Sequence, residues 1–517
     1  MCGVIFRALR KLGKKTSTSF AAKELSQPRR RSFSCQTPSE MPCVFFNDWA
    51  RNISGSIASV LFKMMRPTGN VHITNMDSIY ANAYCTIVAA DGEDADYGLP
   101  GAGLRPRHLL QRTLDFPSCS FKNIFSPDAW RFGYHSTRGW TLQEVELSRR
   151  RIVFYGQTMF WECTTLRWQE EVPAAPEVLQ RRFVDRPFRQ GASKGRWPNL
   201  EYWGDIVKQY SQRTLTFPSD AQAAFSGIES ALDRSFPGGF LHGLPEFFFD
   251  EAVLWLPLAG ISRRNREHKC ISGYHVPSWS WLGWAGDLSI ELCNYEIYPG
   301  HGFHTEETEP VLEWFQMGPQ PGQKRRVRNH LRLWRARATK KALPPAGWAL
   351  IQNKHRSYYT VDSAPDLKFR YPLPTAAEVP PEPEQLSWPP YLHFRAFRAY
   401  FKIFRVLISA NPYLLPTGVS ISDAEGEMVG ALWLALDITG PPLAGRDCEL
   451  IAISRGSSPN EPSLYRGTLA QNGGVYEFYN VLWIKREGHY MVREAVGKVS
   501  KLAWERQAVE EIDVELH

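Results

Sequence analysis

Apolar and polar positions change period several times along this chain, and each change marks an element. In the stretch IYANAYCTIVAADG, Ile79, Tyr80 and Ala83 end a helix that runs into a strand over residues 85–90. The densest signals lie between Thr137 and Cys163. Thr141-Leu142-Gln143-Glu144 has capping-box spacing, in which the Thr hydroxyl and the Glu carboxylate satisfy each other's orphan backbone donors. A short helix follows, and Ser148-Arg149-Arg150 leaves it. Residues 151–155 and 158–162 then alternate as two strands, joined by Gly156-Gln157, a pair suited to a type II′ turn.

Helical spacing returns at Tyr202, Ile206 and Tyr210, beside Trp203 and Val207. Ser219-Asp220-Ala221-Gln222 repeats the capping-box spacing and opens a helix with Phe225, Ile228 and Leu232 on its apolar face. Residues 243–257 supply a buried segment, and Trp279 and Trp281 stand two apart, on one face if the segment is a strand. From about Arg395 the chain turns strand-rich, with strands over 428–438, 449–454, 476–485 and 489–496 and a short helix or edge over 502–506.

Composition divides the chain further. Residues 1–75 hold 12 Lys or Arg against three acids, whereas the other 442 residues carry 49 basic and 50 acidic side chains. The net charge of +8 is therefore a property of a basic leader, and a nucleic-acid interface on the body is not expected. Residues 1–34 have the Arg-, Lys- and Ser-rich composition of a mitochondrial transit peptide, the alternative to a plain basic tail on a cytoplasmic protein. Residues 299–392 form an insertion or linker, partly disordered, in which acidic Glu306–Glu313 precedes a basic run over 324–341. Val327, Leu331, Trp334 and Ala338 give that run the spacing of an amphipathic helix. The expected units are a leader (1–75), an α/β domain (76–172), a helical and Trp-rich region (197–298), the linker (299–392) and an α+β, strand-rich C-terminal region (395–517).

Candidate chemistry is sparse. Nine scattered cysteines with no CxxC pair fit reduced thiols rather than a zinc site or disulfide framework. Asp91, Glu93, Asp94 and Asp96 form an acidic loop without EF-hand spacing, so no metal is expected. There is no GxSxG elbow, P-loop or HExxH motif, so no catalytic residue and no cofactor is assigned. No apolar run is long enough to span a bilayer. The Trp279/Trp281 pair leaves a carbohydrate-stacking reading open, although only Asp287 is at hand where glycoside hydrolysis needs two carboxylates.

The ordered set IYANAYCTIVAADGEDADYGLPG, RGWTLQEVELSRRRIVFYGQTMFWEC, YSQRTLTFPSDAQAAFSGI, LPEFFFDEAVLWLP and PSWSWLGWAG resembles the fungal heterokaryon-incompatibility (HET) domain family. The C-terminal YNVLWIKREGHYMVREAVGKVSKLAW is similar to the tail that often ends such proteins. The signature residues carried by the resemblance are Tyr80, Ala81, Arg138, Gly139, Trp140, Thr141, Gln143, Glu144, Trp161, Glu162, Cys163, Trp279 and Trp281, read as structural. It implies an intracellular protein of self/non-self recognition and cell-death signalling, working through protein partners, with a TIR-like, flavodoxin-like α/β core. A relation to TIR domains also raises an NAD-consuming hydrolase as the alternative. The opening strand motifs of the family are absent from residues 1–75, so the domain is expected to be N-terminally incomplete.

Overall fold

The structure is a computed structural model that describes residues 76–101, 106, 113–122, 129–163, 167–170, 200–233, 235–236, 238–264, 273–290, 307–320, 322–327, 347–353, 356–362, 364–369, 388–407, 418–434, 443–458 and 476–517. The expectations for residues 1–75, for 328–341 of the basic run and for 370–387 of the linker lie outside these residues. The described chain forms two compact units: residues up to 170 with 223–231, and residues 200–222 with 232–517.

In the first unit the helix Met76–Asn82 leads into β1 (Thr86–Ala89), followed by a hairpin of β2 (Thr113–Phe116) and β3 (Cys119–Lys122). The helix Thr141–Leu147 then feeds β4 (Arg150–Tyr155), β5 (Thr158–Cys163) and β6 (Arg167–Gln169). The sheet order is β1-β4-β5-β6, with β1 parallel to β4 and the other pairs antiparallel. Alternation assigns its two faces. Val88, Val153 and Phe160 pack with Trp130 and Val145 on one side, and Ile152 and Phe154 with Cys85 on the other. The helix–sheet mixture agrees with the expected α/β class. The β4–β5 turn is a correction: Gly156 and Gln157 both have positive φ, 59° and 67°, which makes it type I′ rather than II′. That turn matches the right-handed twist of the flanking strands.

The second unit begins with the helix Leu200–Ser211, whose Tyr202, Trp203, Ile206, Val207 and Tyr210 are buried, as its spacing requires. The helix Ala223–Leu232, whose residues 223–231 belong to the first unit, likewise buries Phe225, Ile228 and Leu232. Its expected capping box does not form. Pro218–Ala221 is instead a separate 3-10 turn that starts without a side-chain cap. Two strand pairs come next: β7 (Phe240–Leu241) with β8 (Leu244–Pro245), and β9 (Leu256–Arg263) with β10 (Trp284–Ser289) after the helix Phe249–Ala252. β11 (Glu307–Pro310), β12 (Phe315–Met317) and β13 (Lys324–Arg326) follow, so part of the expected linker is sheet and its basic run begins as a strand. β14 (Trp348–Asn353), β15 (Arg356–Val361) and β16 (Ala364–Phe369) make a separate meander.

The remaining strands are β17 (Leu392–Leu407), β18 (Gly418–Ser422), β19 (Met428–Leu434), β20 (Asp447–Ser458), β21 (Tyr476–Glu487), β22 (Tyr490–Ser500) and β23 (Glu510–Leu516). Antiparallel pairing runs β17-β18-β19-β22-β21-β20 and returns from β20 to β17. Six strands therefore close into a barrel, which removes the open edges those strands would otherwise expose. Its core includes Phe401, Ile421, Leu432, Leu450, Val481 and Trp483. The helix Lys501–Arg506 adds Trp504, stacked 5.9 Å from Phe401. Outside the barrel, the buried Arg493 guanidinium donates to the carbonyls of Val253 and Trp255 and lies over the Trp255 ring at 3.7 Å.

The β7–β8 turn is centred on His242 and Gly243, with φ of 47° and 85°. The Trp203 and Trp281 indoles both donate to the Gly243 carbonyl, at 3.0 and 2.9 Å, and Ser280 donates to that of His242. Burial pushes the His242 imidazole down to about 4. Because the unfolded value is higher, the unfolded chain takes up the proton first as pH falls. The His242 contribution to stability is therefore complete above about pH 6.5 and lost as pH falls towards 4, by up to about 3 kcal/mol. His242→Asn makes an Asn-Gly turn that tolerates positive φ and carries no titrating ring. Urea unfolding at pH 7 and pH 4.5 should show a smaller acid loss in this variant than in the wild type; equal losses would contradict the assignment.

Candidate functional site

The candidate site is the signature stretch of the first unit, Arg138 to Cys163, with Tyr80 and Ala81 of the helix Met76–Asn82. The chain approaches it through 3-10 turns at Ala129–Phe132 and Tyr134–Thr137. Their carbonyls change the role of Thr141. Its hydroxyl donates to the carbonyls of His135 at 2.5 Å and Arg138 at 2.8 Å, and Trp140 occupies the cap position without a side-chain cap bond. The expected capping box is thus replaced. Glu144 serves Tyr80 instead, accepting a hydrogen bond from its hydroxyl. Burial first, then the charge and hydrogen bond of Glu144, push the Tyr80 hydroxyl well above the usual tyrosine range.

Arg138 is exposed, Gly139 is buried, and Ala81 and Trp140 are half-buried. Gln143 is fully buried and lies against Gly227, where an added Cβ would come within 2.6 Å of its Oε1. Ser148 donates to the Glu144 carbonyl at 2.6 Å, and its hydroxyl meets that of Thr86 on β1 at 2.6 Å. These contacts tie the helix Thr141–Leu147 to the sheet beneath it.

The strongest electrostatic feature is the pair Arg151–Glu162, directly opposed across β4 and β5 and joined at 2.8 Å. Both residues are almost fully buried. The Arg151 guanidinium also donates to the Val145 carbonyl at the end of the helix and stands 6.0 Å from the Trp130 ring. Neither Arg151 nor Trp130 stands among the signature residues read from the sequence. The hairpin register could have found Arg151, since the Gly156-Gln157 turn sets it opposite Glu162. Trp161 packs on the other sheet face with Ile152 and Phe154, and Cys163 is in no disulfide.

Residues 65–144 match the model of a family described as heterokaryon incompatibility protein (HET). The chain carries a HET domain. The matched span starts eleven residues before the expected domain start at 76 and ends at Glu144, the carboxylate that holds Tyr80. No curated protein and no solved structure matches the chain.

The remaining candidates are resolved by their surroundings. Among the described residues no group of three or more His, Cys, Asp or Glu is placed to hold a metal ion. Asp94 caps the turn Ala95–Tyr97, and Asp91 accepts from the Gly156 backbone at 2.7 Å, so both carboxylates organise loops around the HET core. Burial pushes the Cys85 thiol up to about 11, which keeps it protonated and a poor nucleophile near neutral pH. In the second unit Trp279 lies in a turn and Trp281 in a 3-10 turn, not on one strand face. Both indoles are fully buried and donate to backbone carbonyls, of Pro390 and Gly243, leaving no open ring face for a sugar to stack on. No described helix is long and apolar enough to cross a membrane.

Proposed function

We propose that the chain is a heterokaryon-incompatibility-type protein acting in fungal self/non-self recognition and cell-death signalling, through protein partners in the cytoplasm. The observation that carries this reading is the HET match over residues 65–144. The geometry supports it, because the signature side chains are committed to internal contacts: Thr141 to two carbonyls, Glu144 to Tyr80, and Glu162 to Arg151. Such a constellation holds a surface in shape, which suits a recognition scaffold. Overexpression in a filamentous fungal host should arrest growth. Normal growth at matched protein levels, with the protein shown to be folded, would count against the reading.

A TIR-like core with NAD hydrolysis is the second reading. The parallel pairing of β1 with β4, with the helix Thr141–Leu147 leading into β4, is the element of the sheet that favours it. Fold analogy alone is a weak warrant for chemistry. Folded protein incubated with NAD decides: unchanged NAD removes this reading and leaves the first intact.

A further inference from the structure

The β2–β3 hairpin of the first unit is amphipathic, and its apolar face is exposed. Its register sets Leu114 opposite Phe121 and Phe116 opposite Cys119, so alternation places these four residues on one face. Leu114, Phe116 and Phe121 are 65%, 55% and 61% exposed, and Cys119 is exposed as well. Phe116 and Phe121 meet edge to face at 5.7 Å. Asp115 and Ser120 occupy the opposite face, hydrogen-bonded to each other at 2.5 Å. Every residue from Leu114 to Phe121 is exposed, and an uncovered two-stranded hairpin is marginal in water.

We propose that this face is a self-association surface, covered by the same face of a second copy of the chain. Charge selects that occupant. A two-fold interface sets a patch against itself, so any charge within it would meet its own sign. This face has none; Asp115 points the other way. Area sets the strength. The three large side chains offer roughly 350 Å² per copy, taking about 200 Å² for each when fully exposed. A stable interface needs about 800 Å² per partner. The dimer is therefore weak and forms with rising concentration, a property suited to a response that depends on local accumulation.

Sedimentation equilibrium of the full chain in reducing buffer, from about 1 to 200 μM, tests it, since that range brackets micromolar dissociation constants. The wild type should shift from monomer to dimer. Phe121→Asp, which enters a symmetric interface twice, should weaken association at least tenfold, a change of about 1.4 kcal/mol. Phe217→Asp, at a residue 64% exposed in the second unit, should leave it unchanged. Leu114→Lys repeats the test from the neighbouring strand should Phe121→Asp fail to fold. A wild type monomeric throughout, whether or not it binds another protein there, overturns the proposal. So does association that persists unweakened in the folded hairpin variants.

Discussion

Glu162→Gln should lower the stability of the first unit by about 3–5 kcal/mol, the usual cost of removing one partner from a buried ion pair. Glu162 and Arg151 are 0% and 2% exposed, and the N–O separation is 2.8 Å. Without the carboxylate, the guanidinium stays buried with the Val145 carbonyl and the Trp130 ring for company, and neither offsets a full charge. The effect is read as a shift of the first unit's urea transition, or as faster amide exchange on β4 and β5. A companion variant separates two explanations. Arg151→Met with Glu162→Leu removes both charges and both desolvation costs, and should stay within about 1–2 kcal/mol of the wild type. If the pair exists to hold the fold, this double variant also keeps any growth-arrest activity. If it folds but is inactive, the ion pair has a role beyond packing. A neutral Glu162→Gln would mean that the carboxylate is not charged in the folded protein.

The same pair shows what a sequence exposes and what it conceals. The hairpin was legible because turn residues and alternation agree, and the strands Arg150–Tyr155 and Thr158–Cys163 extend the expected limits by one residue each. Glu162 even has the inward parity of Thr158 and Phe160. Arg151 was hidden by the Ser-Arg-Arg-Arg run, which reads as a helix exit. Both capping boxes failed for a physical reason: the spacing is local, whereas tertiary partners compete for the same side chains. Tyr80, sixty-four positions earlier, takes Glu144, and the preceding 3-10 turn takes the Thr141 hydroxyl. Barrel closure was invisible because it depends on β17 pairing with β20 across four intervening strands in the circuit. β17 itself conceals its period. Leu392, Phe394 and Ala396 are buried, then Ala399, Phe401 and Ile403, so the inward parity switches near Arg398 as the strand changes partner from β23 to β20. The signature of the HET domain was legible as a set, but the spatial pairing of its members was not.

Gly497→Ala should be the most damaging single-methyl change in the second unit, costing about 3 kcal/mol or more, at the upper end for overpacking. Gly497 sits on β22 between β21 and β19, opposite Val481 and Leu432. A Cβ there would lie 2.0 Å from the Ala431 carbonyl oxygen and 2.9 Å from the Leu432 Cα. Those are backbone atoms, so no rotamer change relieves the clash; the two strands must separate. Gly430 on β19 makes the reciprocal approach, its absent Cβ only 2.4 Å from the Lys498 carbonyl oxygen. Two glycines facing each other's backbones let β19 and β22 run this close, and β19–β22 is one of the six seams that close the barrel. Opening one seam exposes two strand edges and loosens a core that includes Leu432, Val481 and Trp483. Gly426→Ala is the control. It has positive φ, 85°, but nothing within 4 Å of the added methyl, so it reports backbone strain alone, about 1 kcal/mol. Urea unfolding of the two variants should differ by about 2 kcal/mol or more, with Gly497→Ala also losing near-UV signal from Trp483 and Trp504. Equal effects would show that the β19–β22 approach carries no steric constraint.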